Sequence, residues 1–106
     1  MVDMFYIVFV TTKDRAEAKR ISEKLVRERL AACVNIVPRV SSTYRWRGKI
    51  ERGIEALLLV KTSGKKLDRL IARVEELHSY EVPEVLALPI GRGSLKYMKW
   101  LKESLE

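Results

Sequence analysis

The first patterned stretch, Met4 to Val10 (MFYIVFV), is unbroken apolar sequence rich in β-branched and aromatic residues, which predicts a central strand covered on one face or both. Asp14, with Glu17 three residues on, has the form of a helix N-cap and its reciprocal acid. Beyond it Ala18, Ile21, Leu25 and Leu30 form an apolar stripe among Lys, Arg and Glu, predicting a helix that ends near Leu30. Ala31 to Val37 predicts a second strand, with Pro38 marking a bulge or an edge position. From Ser41 to Trp46 polar and aromatic residues alternate, Arg47-Gly48 suits a tight turn, and Lys49 to Thr62 returns as a third strand. This long hairpin has a tip too polar to sit in the chain's own core.

The strongest periodicity follows Thr62-Ser63-Gly64. Leu67, Leu70, Ile71, Val74, Leu77 and His78 share one helical face. Pro83 disfavours helix at Val82 and suits the start of a fourth strand, Glu84 to Ile90. Ser94 then caps a last helix carrying Leu95, Met98, Leu101 and Leu105. The order βαββαβ plus a C-terminal helix predicts an α+β, ferredoxin-like domain over residues 1–106, with both main helices on one face of an antiparallel sheet. Nothing in that arrangement covers the other, partly apolar face, and another copy of the chain is the simplest cover.

Composition narrows the function. The chain has 106 residues, 47% hydrophobic and 33% charged, which excludes a disordered or membrane-embedded protein. Its apolar runs are far shorter than the roughly 20 residues that cross a bilayer. Met1-Val2-Asp3-Met4 shows no secretory signal, so a cytoplasmic location is expected. The net charge of +7 comes from 21 Lys and Arg against 14 Asp and Glu. The two signs are interspersed, as in Lys13-Asp14-Arg15, which reads as a solvated surface and not a nucleic-acid stripe.

One cysteine, Cys33, and one histidine, His78, cannot make a zinc site within one chain. The segment His78-Ser79-Tyr80-Glu81-Val82-Pro83-Glu84 gathers an imidazole, a phenol and two carboxylates. Two readings stand for it. Imidazole with Glu81 and Glu84 suits copper or another divalent cation; alternatively His78 closes the apolar stripe and supports the helix C-terminus. Cys33, among Ala31, Ala32 and Val34, reads as a small buried hydrophobe and not a nucleophile. Tyr44, Trp46 and Tyr80 beside Arg45, Arg47 and Lys49 could stack bases, yet the third strand's Ala56-Leu57-Leu58-Leu59-Val60 lacks the aromatics of an RRM. The aromatics are better read as subunit-interface anchors. No phosphate loop is present, and the anion-binding loop of an acylphosphatase is replaced by Thr11-Thr12-Lys13-Asp14.

Five segments in order resemble the CutA family of divalent-cation tolerance proteins: Arg29 to Asn35, Tyr44 to Glu51, Lys61-Thr62, His78 to Glu84, and Tyr97 to Leu101. The resemblance covers nearly the whole chain. It implies a non-enzymatic homotrimer, similar in architecture to PII signalling proteins, with a role in metal tolerance and copper binding in some members. In those members a first-strand cysteine joins a His-His pair; the matching positions here are Val10, Leu77 and His78, so only His78 agrees. The resemblance points to inter-subunit clefts lined by Tyr44, Trp46, Lys61, His78 and Tyr80. Their expected ligand is Cu(II) or another divalent cation. Two alternatives remain: a PII-like small anion held by Lys61 and Arg47, or a structural trimer without a ligand.

Overall fold

The computed structural model describes residues 4–106; the reading of Met1-Val2-Asp3 lies outside them. The elements are β1 (Phe5–Thr12), α1 (Arg15–Arg27), β2 (Cys33–Trp46), β3 (Lys49–Ser63), α2 (Gly64–Leu77), β4 (Val85–Pro89) and α3 (Leu95–Ser104). The four strands form one antiparallel sheet in the order β2-β3-β1-β4. This is the predicted ferredoxin-like arrangement.

Alternation along the strands sorts residues to two faces. Val8, Val10, Ala56, Leu58 and Val60 point toward α1 and α2, where they pack with Ala18, Ile21, Leu25, Leu70 and Val74 in a core closed to solvent. The opposite face carries cross-strand rows Asn35–Leu59–Phe9–Leu86 and Cys33–Lys61–Ile7–Leu88. Part of it is covered after all. Helix α3 reaches the Cys33 end, where burial and a hydrogen bond with Cys33 raise the Tyr97 hydroxyl's pKa. Beyond that contact the face is open, and Leu86 and Leu88 are 57% and 47% exposed.

Several boundaries differ from the sequence expectation. Helix α1 stops at Arg27, three residues early, because Arg29 takes a left-handed conformation (φ 58°). The turn lets the backbone N–H groups of Leu30 and Ala31 both donate to the Leu25 carbonyl, and it seats Leu30 in the core. Strand β4 is trimmed to Val85–Pro89. Leu95, assigned to an apolar stripe, is exposed, whereas Leu101 and Leu105 are buried. Cys33 is half-buried on the open face, not inside the main core.

The hairpin outruns the body. β1 ends opposite Ala56, so Val40–Trp46 and Lys49–Glu55 continue alone as a two-stranded arm. Seven residues of strand extend roughly 24 Å, and the molecule measures 45 × 25 × 22 Å. A register shift between Val37 and Val40 places a bulge at Pro38, a position that tolerates its missing N–H. At the tip Arg47 (φ 50°) and Gly48 (φ 80°) form the two-residue turn whose twist suits a hairpin. Ile50 and Ile54 are exposed on one side of the arm, Tyr44 and Trp46 on the other.

Candidate functional site

The site forms where the arm leaves the body. After α2 the chain turns at His78, whose N–H still donates to the Val74 carbonyl while its own backbone is extended (ψ 143°). The irregular segment 78–84 then passes the end of β1 and is tied down at successive residues. His78 Nδ1 accepts the Tyr80 backbone N–H at 3.1 Å, which places the ring proton on Nε2, donated to the Thr11 carbonyl at 2.7 Å. The Ser79 N–H donates to Glu17 Oε2 at 2.8 Å. The Tyr80 hydroxyl donates to Glu55 Oε2 at 2.7 Å, and its ring packs on His78 at 4.8 Å between centroids.

Electrostatics follow from these ties. Burial alone would raise the Glu17 carboxyl, but hydrogen bonds from Ser79 and Lys13, with His78 nearby, outweigh it and hold the pKa below its ordinary 4.5. Burial and the bond to Glu55 push the Tyr80 hydroxyl well above its ordinary value of 10. Tyr80 is therefore a neutral donor at physiological pH, and Glu55 its carboxylate acceptor.

Together the arm and this segment border a hollow of about 670 Å³ that is open to solvent on one side. Tyr44, Trp46 and Tyr80 form its aromatic walls, and Glu55, Glu81 and Glu84 supply its charge. Thr11, Ser42, Thr43 and Ser79 add hydroxyls. Every ionisable lining group except tyrosine is acidic, in a chain of net charge +7. Arg47 reaches the rim, 3.5 Å from Glu81 and with its guanidinium carbon 5.4 Å from the Trp46 ring centre.

The structure thus brings together Tyr44, Trp46 and Tyr80 of the expected cleft residues, with Glu81 and Glu84. His78 stands behind Tyr80 as its support. Lys61 does not join them; it lies on the open sheet face, across from Cys33 and Ile7. The expected metal set of His78, Glu81 and Glu84 is not assembled within one copy: both imidazole nitrogens are engaged, and no three His, Cys, Asp or Glu side chains converge among the described residues. Sequence reasoning missed Glu55. Its signal was a lone carboxylate ahead of the apolar Ala56-Leu57-Leu58-Leu59-Val60, but its place opposite Val40 depends on the bulge.

Residues 6–104 match the family described as CutA1 divalent ion tolerance protein. The chain belongs to that family. It is 48% identical over 98 residues to the divalent-cation tolerance protein CutA of Thermus thermophilus, covering 92% of this chain and 95% of that protein. A solved structure of that bacterium's protein superposes with a TM-score of 0.92 over 95% of this chain and 98% of the other. The structure of the periplasmic divalent cation tolerance protein CutA from Archaeoglobus fulgidus gives 0.94 at 37% identity, covering 97% and 100%. Chloroplastic CutA 1 of Oryza sativa is 48% identical over 92% of this chain, which spans only 55% of that protein. Relatives therefore carry chloroplastic and periplasmic names, and no helix among the described residues is long and apolar enough to cross a membrane.

Proposed function

We propose that this CutA-type chain acts as a homotrimer in divalent-cation tolerance, binding a cationic ligand in clefts where the arm base of one copy meets the next. The hollow between arm and body carries this reading: its charged lining is wholly acidic although the chain is basic. The open sheet face and the Ile50 and Ile54 side of the arm support the assembly, because each has apolar side chains that a neighbouring copy would remove from water. Glu81 and Glu84 are the metal-facing carboxylates, completed across the interface, and His78 is a positioning residue for Tyr80. The PII-like anion reading is less favoured, since Lys61 lies outside the hollow and Arg47 is paired with Glu81. The reading is one of binding, and the single imidazole, engaged at both nitrogens, is held as a positioning group and not as a general base. A cytoplasmic location, where the Cys33 thiol stays reduced, goes with this reading.

Equilibrium dialysis of the assembled protein against Cu(II), Zn(II) and phosphate tests the assignment. Divalent metal should bind and phosphate should not, and Glu81→Gln or Glu84→Gln should each weaken metal binding about tenfold. Metal affinity unchanged in both variants, or phosphate binding in its place, contradicts it.

A further inference from the structure

The hollow at the arm base is far larger than a metal ion needs. A water occupies about 30 Å³ of liquid, so 670 Å³ holds a ligand of many atoms and falls in the range of small-molecule sites. Its walls also suggest more than metal coordination. Aromatic faces do not ligate a divalent cation, but they attract an organic cation held against them, and carboxylates beside them reinforce that attraction.

From these features we infer that the hollow recognises a small organic cation, an ammonium or guanidinium group on a short stem. This rests on the reading above that the hollow is the ligand site, and it names the chemistry the site accepts. Tyr44, Trp46 and Tyr80 supply the π-faces, and Glu81 and Glu84 supply the countercharge. Glu55 is occupied by the Tyr80 hydroxyl and fixes that ring in place. A contact within the molecule brings the same groups together at the exposed rim. Arg47 extends from the arm tip so that its guanidinium lies over Trp46 at 5.4 Å and beside Glu81 at 3.5 Å. The rim thus already holds one guanidinium between an aromatic face and a carboxylate. Arg47 is then a tethered competitor for the incoming cation.

That competition gives an unusual variant to test. Arg47 occupies a left-handed turn position, which Asn also adopts readily, so Arg47→Asn keeps the turn while removing the guanidinium. Titration calorimetry on the purified full chain, in its solution assembly, would use choline, its neutral tert-butyl analogue, and Cu(II). Choline should bind at least about tenfold more tightly than the analogue. Trp46→Leu, which keeps apolar bulk but loses the π-face, should weaken choline about fivefold. Glu84→Gln should weaken it comparably, and Arg47→Asn should tighten it.

Equal binding of choline and its neutral analogue overturns the inference, as does no choline binding by wild type and Arg47→Asn alike. If Cu(II) still binds through Glu81 and Glu84 in that second case, the cleft reading survives and only the organic-cation inference falls. Choline binding without metal binding leaves this inference standing and removes the metal from the proposed function.

Discussion

At the residue scale, Glu17 and Tyr80 hold the site together. Glu17 is only 3% exposed and accepts from the Lys13 and Ser79 backbones through its two oxygens. Its cap role was legible in the spacing from Asp14, and the Glu17 N–H does donate to Asp14 Oδ1 at 2.8 Å. Its hold on Ser79, distant in sequence, was not, because only the packing of α1 against the end of α2 creates it. Glu17→Gln leaves a backbone donor facing an amide and should cost about 1–3 kcal/mol. The folded-state pKa is depressed, so this stabilisation is present above 4.5 and disappears as pH falls through the lower folded value. Thermal melts across acid pH should show wild type and Glu17→Gln converging below 4.5; a gap that widens there would contradict the argument. Tyr80 has the opposite sign. Its raised pKa means that its contribution is complete below 10 and is lost only as pH rises through the folded value. Tyr80→Phe should cost about 1 kcal/mol at neutral pH, read by chemical denaturation, with the difference fading under strongly alkaline conditions.

At the scale of elements, the arm is the feature that local chemistry specified best. Arg47-Gly48 marked the turn and Pro38 a bulge or an edge position, and the structure has the turn and a bulge on an edge strand. What the sequence could not reveal was the register beyond the bulge, since Val40 opposite Glu55 follows from how β2 bends, not from any pattern of side chains. That register puts Glu55, Tyr44 and Trp46 on one side of the arm and so builds the hollow. The α1 boundary was misplaced for a related reason: Leu30 continues the apolar stripe, yet reaches the core through a turn at Arg29 and not through helix. Gly48 tests the arm directly. A Cβ there meets nothing within 4 Å, so Gly48→Ala costs only its φ of 80°, about 1 kcal/mol. Denaturant midpoints should fall accordingly for Gly48→Ala and hold for Arg47→Asn. Equal loss in both would mean that the turn conformation is not what the arm depends on.

At the scale of the whole molecule, the order of elements predicted the sheet and its helix-covered face, while the partial cover by α3 had to be seen. What the fold leaves open is the β4 edge of that face, at Leu86 and Leu88. In an isolated copy a charge at Leu86 would be solvated and nearly neutral for stability, generally within about 0.5 kcal/mol. Buried against a neighbour, the same charge would be costly and would disrupt association. Leu86→Glu should therefore dissociate the assembly while leaving the circular dichroism of the fold intact. Sedimentation velocity of the unmodified chain at micromolar concentration is the most direct measurement. A particle of three times the 12.3 kDa chain mass is expected. A stable, folded species sedimenting at the mass of one chain would contradict it.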